Sequence, residues 1–141
     1  MKDVKVVIRS ITKLSNKIRR NFASLASRSI FSGAEGRTLH FLIASRDIEV
    51  FQKDIEEEFS IRSSTATVLL QKMEADGLIK RVPTESDGRR KKITLTDKAL
   101  KYKEQVIAQL DKMDSRLIEG VSEEDLSTFL SVIKRMGENL D

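Results

Sequence analysis

The densest positive charge in the sequence follows a turn signal. Residues 89–92 are four consecutive basic side chains, and they come directly after Asp87-Gly88. An Asp-Gly pair between two alternating stretches favours a β-hairpin. Basic side chains on such a ribbon can reach a phosphate backbone, and an arginine at its tip can enter a narrow, strongly negative minor groove. Asp87, two residues before Arg89, is expected to orient that guanidinium through a charge-assisted hydrogen bond.

A cluster of small hydroxyl side chains lies upstream of the basic run. It consists of Ser63, Ser64, Thr65 and Thr67, at the start of a stretch with helical spacing. These residues are middling helix formers, and N-capping explains one hydroxyl rather than four. Small side chains at a helix start let its free N–H groups approach phosphates and base edges. The pattern therefore favours the second helix of a helix-turn-helix that reads a DNA groove.

The elements that must position these residues follow from the spacing of apolar residues. The sequence predicts a mainly α protein with a small β-hairpin wing. The predicted helices span residues 3–29, 37–46, 50–59, 64–77 and 96–119, with a two-glycine break at 32–36 and strands at 78–84 and 90–96. Gly77 is predicted to end the fourth helix, and Ser122 to begin a last helix through a capping box.

This order predicts a winged helix-turn-helix at residues 32–96, flanked by dimerisation helices at 1–31 and 97–141. The outer helices carry more apolar surface than one chain can bury. A second copy related by a two-fold axis is the simplest partner, so we expect a homodimer.

Composition excludes several classes of protein. Hydrophobic residues make up 39% and charged residues 34% of the 141 residues, and the net charge is +4. No apolar run is long enough for a membrane span, so a cytoplasmic location is expected. The absence of cysteine removes disulfides and thiol-based zinc sites.

His40, the only histidine, lies in the apolar stretch LHFLI and is expected in the core or a pocket wall. We therefore expect neither an enzyme nor a metal or other cofactor.

The stretch SSTATVLLQKMEADGLIKRVPTESDGRRKKITLT, followed by DKAL, resembles the multiple-antibiotic-resistance regulator (MarR) family. The match lies in Ser64-Thr65, the exit MEADGLIKR, and Asp87-x-Arg89 leading to Leu95-Thr96. The resemblance implies a homodimeric transcriptional regulator whose winged helices read a pseudo-palindromic operator in double-stranded DNA. Repression is the commoner outcome in the family.

The resemblance also implies which residues bind. A recognition helix at about 63–76 would enter the major groove, and a wing at 84–94 the minor groove. The expected DNA-binding residues are Arg62, Ser63, Ser64, Thr65, Thr67, Val68, Gln71, Lys72, Asp87, Arg89, Arg90 and Lys91. Val68 stands where many members carry a longer polar side chain, so contact with a thymine methyl is expected there. Many members are released by small, often aromatic anions, and Arg19, Arg20 and His40 are the expected lining of such a site.

Two other functions remain as alternatives at this stage. A winged-helix adaptor without DNA binding would use the wing against an acidic protein surface, and Val68 is the feature that favours it. A small enzyme with a carboxylate–His40 site is the other, and no motif in the sequence supports it.

Overall fold

The computed structural model describes residues 4–26, 33–84 and 89–141 of the chain. Its elements are mainly helical with one two-stranded antiparallel hairpin, which confirms the predicted fold class. In chain order they are α1 (Val4–Ala26), α2 (Gly33–Ala44), α3 (Gln52–Phe59), α4 (Ser63–Ala75), β1 (Ile79–Pro83), β2 (Lys91–Leu95), α5 (Asp97–Lys101), α6 (Lys103–Leu117) and α7 (Glu123–Glu138). No described helix combines the length and apolarity needed to cross a membrane.

The chain forms two compact units, residues 1–107 and 108–141. The core of the first unit lies among α2, α3, α4 and the start of the hairpin. Leu39, Ile55, Leu70, Met73 and Leu78 are almost fully buried there. Each comes from a different element or helical turn, so the helix-turn-helix and the wing share one core and fold together.

The turns at either end of α4 set its position in this core. Ser60 ends α3 in a left-handed conformation, and the N–H of Ile61 donates to the carbonyl of Glu56 at 3.0 Å. This is the hydrogen bond of a Schellman motif. Gly77 has a φ of +74°, and the N–H of Leu78 donates to the carbonyl of Met73 at 2.9 Å. The prediction that Gly77 stops this helix is confirmed.

The hairpin pairs Ile79 with Leu95 at its base and Pro83 with Lys91 at its far end. Pro83 is exposed at the last position of β1, where its missing N–H costs no ladder bond. The N–H of Ile93 donates to the carbonyl of Val50 at 2.7 Å, which ties β2 to the segment before α3. The predicted Asp87-Gly88 turn lies outside the described residues.

The start of α2 differs from the prediction. The break predicted at 32–36 is wrong, because α2 begins at Gly33. Gly33 has a packing role, since a Cβ there would lie 3.0 Å from the Cβ of Phe22 on α1. Glu35 lies in the first turn, where the helix dipole favours a carboxylate. Close packing and charge outweigh the helix-breaking tendency of two glycines in a first turn.

The helix predicted at 96–119 is also wrong in one respect, because it is interrupted at Tyr102. Tyr102 leaves the helical conformation at φ −99° and ψ 4°. The predicted stripe places Leu100 inward, whereas Leu100 is exposed and its neighbour Ala99 is buried. The six-residue step from Leu100 to Val106 does not match helical periodicity, and this was the sequence sign of the break.

The second unit contains α7. Ser122 begins this helix as predicted, since the N–H of Asp125 donates to Oγ of Ser122 at 3.1 Å, which is the serine half of a capping box. Phe129, Leu130 and Ile133 on this helix are exposed. Its apolar stripe therefore faces solvent at these three positions.

Candidate nucleic-acid interface

The first turn of α4 presents polar groups to solvent. Arg62 precedes the helix in an extended conformation, and its side chain makes no cap hydrogen bond. Ser63, Ser64 and Thr65 are exposed. The uncapped N–H groups and the three hydroxyls form one outward-facing surface. Such a surface can donate hydrogen bonds to phosphate oxygens or base edges.

Thr67, the fourth hydroxyl of the predicted cluster, has a different environment. Its Oγ1 donates to the carbonyl of Ser63 at 2.8 Å and accepts from Nε2 of Gln52 at 3.0 Å. Thr67 is half-buried. The structure thus separates Thr67 from the other three, because its hydroxyl is already used within the chain.

The next turn of α4 continues the exposed face. Val68 has 66% of its surface exposed, and Gln71 is exposed as well. An exposed valine here can contact an apolar group such as a thymine methyl, but it cannot form a side-chain hydrogen bond.

Lys72 is held by two carboxylates. Its Nζ lies 2.9 Å from Oε1 of Glu35 and 2.9 Å from Oδ2 of Asp76. Glu35, on α2, is only 1% exposed. The hydrogen bonds to Glu35 and then Asp76 raise the pKa of Lys72, and the bond from Lys72 lowers the pKa of Asp76. Lys72 therefore joins α4 to α2, an arrangement that competes with a phosphate contact.

The wing brings Arg89, Arg90 and Lys91 to the surface, where all three are exposed. The guanidinium carbon of Arg90 lies 3.7 Å from the centre of the Phe51 ring, a cation–π contact that joins the wing to the start of α3. Asp87 lies outside the described residues, so its pairing with Arg89 stays a prediction.

A cationic cavity of about 620 Å³ lies between the wing and the start of α3. Five of its lining residues are basic, and none of the described lining residues is acidic. The lining comprises Phe51, Gln52, Lys53, Arg81, Arg89, Arg90, Lys91 and Ile93. We call this the wing cavity.

The wing cavity contains three polar residues that the sequence did not predict, Gln52, Lys53 and Arg81. Acidic residues surround Lys53 in the sequence, so the local charge pattern does not indicate a cationic surface there. Lys53 and Arg81 are 28 positions apart, and only the fold brings them together with Arg89. The signal available was weak, because the partner of Arg81 across the hairpin is Ile93, one residue beyond the basic run at 89–92.

The residues predicted for an effector site are not brought into one cluster by any described contact. Arg19 and Arg20 are exposed on α1, and His40 is half-buried on α2. The structure instead singles out Arg37 on α2. Its guanidinium carbon lies 4.9 Å from the centre of the Phe22 ring, and its buried Nε has no hydrogen-bond partner among the described residues. Burial, and then the charge of Arg19, lower the pKa of Arg37.

Comparison with known proteins identifies the family to which this fold belongs. The model of the MarR family matches residues 31–90. The crystal structure of the transcription regulator MarR from Oenococcus oeni PSU-1 superposes with a TM-score of 0.85 and 34% identity, covering 94% of this chain and 98% of that one. The chain belongs to the MarR family. The resemblance found in the sequence is thereby confirmed.

Two further proteins are similar to this chain. Staphylococcus aureus MepR in its DNA-binding conformation has a TM-score of 0.83 and 25% identity, covering 99% of each chain. The uncharacterized HTH-type transcriptional regulator YwhA of Bacillus subtilis strain 168 is 29% identical over 86 residues. That match spans 61% of this chain and 62% of YwhA's own length.

Proposed function

We propose that this MarR-family chain is a homodimeric transcriptional regulator that binds duplex DNA sequence-specifically and represses transcription. One observation carries the proposal. The exposed, uncapped first turn of α4 lies beside the cationic wing cavity, and Gln52 contacts both. A groove-reading helix next to a phosphate-attracting wing is the pairing that a winged helix needs. MepR, with the same fold, has a DNA-binding conformation, which supports the proposal.

Each part of this surface has a distinct role in the proposal. Ser63, Ser64 and Thr65 approach base edges and phosphates in the major groove, and Val68 contacts a thymine methyl. Arg89 enters the adjacent minor groove. Lys53 and Lys91 neutralise backbone phosphates, which gives affinity without sequence information.

Dimerisation is proposed from apolar surfaces that the described part of one chain leaves open. On α1, Ile8 is 62% exposed, and Ile11 and Leu14 are also exposed. On α7, Leu130 is 57% exposed. A second copy would cover such faces, and two-fold symmetry would place two recognition helices on half-sites about one helical turn apart.

Selection from a random duplex library tests this function. We expect the wild-type chain to enrich an inverted repeat, and its affinity for that operator to fall steeply as salt increases. Enrichment of no motif would contradict the proposal and favour the adaptor alternative, in which the wing contacts an acidic protein surface.

We also infer that a small aromatic anion binds where α1 meets α2 and releases the DNA. The observation that favours it is Arg37, a half-buried cation with an unpartnered Nε, a phenyl ring at 4.9 Å and a second arginine nearby. Benzoate should raise the melting temperature of the wild type and lower its operator affinity. Arg37→Gln should abolish both effects, and Arg20→Gln should retain them. An equal response from wild type and Arg37→Gln would contradict this site.

A further inference from the structure

Gln52, the first residue of α3, contacts both parts of the proposed DNA-binding surface. Its Nε2 donates to Oγ1 of Thr67 at 3.0 Å and to the carbonyl of Ser63 at 3.4 Å, both on α4. Its Oε1 accepts from Nη1 of Arg81 on β1 at 3.4 Å. One amide thus lies between the recognition helix and the wing.

The partners of this amide fix its orientation. A carbonyl oxygen can only accept, so the Ser63 side requires the NH₂ group of Gln52, and a guanidinium can only donate, so the Arg81 side requires the oxygen. Reversing the amide would break both contacts. Glutamine is suited to this position because it is uncharged and supplies a donor on one side and an acceptor on the other.

Arg81 extends the connection to the far end of the recognition helix. Its Nε lies 2.9 Å from Oε1 of Glu74, in the last turn of α4. The recognition helix is therefore held at its first turn by Gln52 and at its last turn by Arg81. The adjacent residue, Phe51, holds the wing through its ring contact with Arg90. These contacts restrain the wing and the helix to one relative position.

We propose that Gln52 is a positioning residue that sets sequence specificity by fixing the first turn of α4 relative to the wing. This inference rests on the proposed DNA binding. Reading base edges depends on the placement of Ser63, Ser64 and Thr65, whereas attraction to phosphates tolerates small shifts. Loss of the Gln52 connection should therefore weaken operator binding more than binding to random duplex.

The test compares Gln52→Met, which keeps the length of the stem, with Thr67→Val and the double variant. Operator and random-duplex affinities are measured at a temperature where circular dichroism shows every variant folded. Thr67→Val removes one contact of Gln52 and should lower the operator-to-random ratio about fivefold, the effect of one net hydrogen bond. Gln52→Met removes all three contacts and should lower the ratio at least as far. The double variant should lower the ratio no further than Gln52→Met, because the Gln52–Thr67 hydrogen bond is already lost in Gln52→Met. Gln105→Met, at an exposed position on α6, is the matched control and should leave the ratio unchanged.

The outcomes separate this inference from the proposed function. If the wild type enriches no operator, DNA reading itself fails. If the wild type reads an operator but Gln52→Met keeps the wild-type ratio, only the positioning role is overturned. Equal loss of operator and random affinity, or multiplying effects in the double variant, would also overturn it, since either result would make Gln52 an independent contact.

Discussion

Arg89 is the residue on which the minor-groove proposal depends most directly. Replacing it with alanine should weaken operator binding by about 1–3 kcal/mol, because a groove-inserted guanidinium loses both charge and contact. The melting temperature should stay close to wild type, since Arg89 is exposed. Fluorescence anisotropy on the operator measures the first and thermal melting the second. Lys101→Ala, exposed on α5, is the control; if Arg89→Ala binds as tightly as Lys101→Ala, the wing does not read the minor groove.

Lys53 tests whether the wing cavity contacts the phosphate backbone. Lys53→Ala should lower affinity for operator and random duplex by similar factors, because phosphate contacts carry no sequence information. The slope of log affinity against log salt should become shallower by about 0.9, the loss of one phosphate contact. A titration series across salt concentrations measures this slope. An unchanged slope would show that Lys53 stays in solvent in the complex.

Replacing Thr65 should change the sequence preference and not the salt dependence, the opposite of what is expected for Lys53→Ala. Thr65→Ala removes an exposed hydroxyl from the first turn of α4 and leaves the charge of the surface unchanged. We expect altered base preference at one or two operator positions and the same salt slope as wild type. Repeating the duplex selection with the variant measures the preference. A motif identical to that of the wild type would place Thr65 away from the bases.

Whether the sequence predicted the environment of a residue correctly depends on how far away in sequence its contact partners lie. The exposed hydroxyls and the basic run were predictable because residue type and local spacing define them. Thr67 was predicted as a DNA-binding residue on the same grounds, and Lys72 through the family resemblance, but each also has a partner that is distant in sequence. Gln52 is 15 positions from Thr67, and Glu35 is 37 positions from Lys72. Such contacts depend on how helices pack, which local spacing does not encode.

At the scale of elements, the ion pair between Lys72 and Glu35 joins α4 to α2. Lys72→Met should lower the melting temperature at neutral pH, because Glu35 would remain buried without this partner. The pKa of Asp76 is lowered, so its stabilisation is present above the ordinary value of 3.8 and is lost as the pH falls through the lowered pKa. The pKa of Lys72 is raised, so its stabilisation is present below 10.5 and is lost as the pH rises through the raised pKa.

The melting-temperature difference between wild type and Lys72→Met should therefore be largest at intermediate pH and shrink toward both extremes. Thermal melting from acid to alkaline pH measures it, with Lys80→Met as the control for loss of an exposed lysine on β1. A difference that stays constant across the whole range would show that the variant acts through packing rather than through the ion pairs.

Element boundaries were predictable where one residue determines them. Gly77 ends α4 through its left-handed conformation, and Ser122 begins α7 through its hydroxyl. The start of α2 was not predictable in the same way, because it depends on the approach of Phe22 to Gly33. The sequence predicts where a helix begins or ends when a single residue supplies the required conformation or hydrogen bond. Where the boundary depends on packing against another helix, the sequence does not predict it.

At the scale of the whole molecule, the core explains why the fold class was accessible from the sequence. Leu39, Ile55, Leu70 and Leu78 lie in the stretches whose apolar spacing predicted the helices at 37–46, 50–59 and 64–77 and the strand at 78–84, and all four are buried. Truncating one of them, as in Leu70→Ala, should cost about 2–5 kcal/mol through lost burial and a residual cavity. Chemical denaturation measures that loss, with Leu69→Ala, at a half-buried position on the same helix, expected to cost less. Equal losses would contradict the assignment of the core face.

The outer helices raise the question of what covers their apolar faces, and Leu130 on α7 allows a direct test. Because it is 57% exposed in the single chain, an aspartate there costs little within one protomer. In a two-fold dimer the substitution occurs twice, and burial of the exposed part of two leucines is worth roughly 2–3 kcal/mol. Leu130→Asp should therefore sediment as a monomer at concentrations where the wild type is a dimer. It should also lose most of its operator affinity, because one recognition helix then binds one half-site alone.

Thr128→Asp adds the same charge at an exposed polar position of α7 and should keep the wild-type mass and affinity. Wild-type sedimentation by Leu130→Asp would mean that this face is not part of the dimer interface, and the apolar face of α1 would then have to supply it.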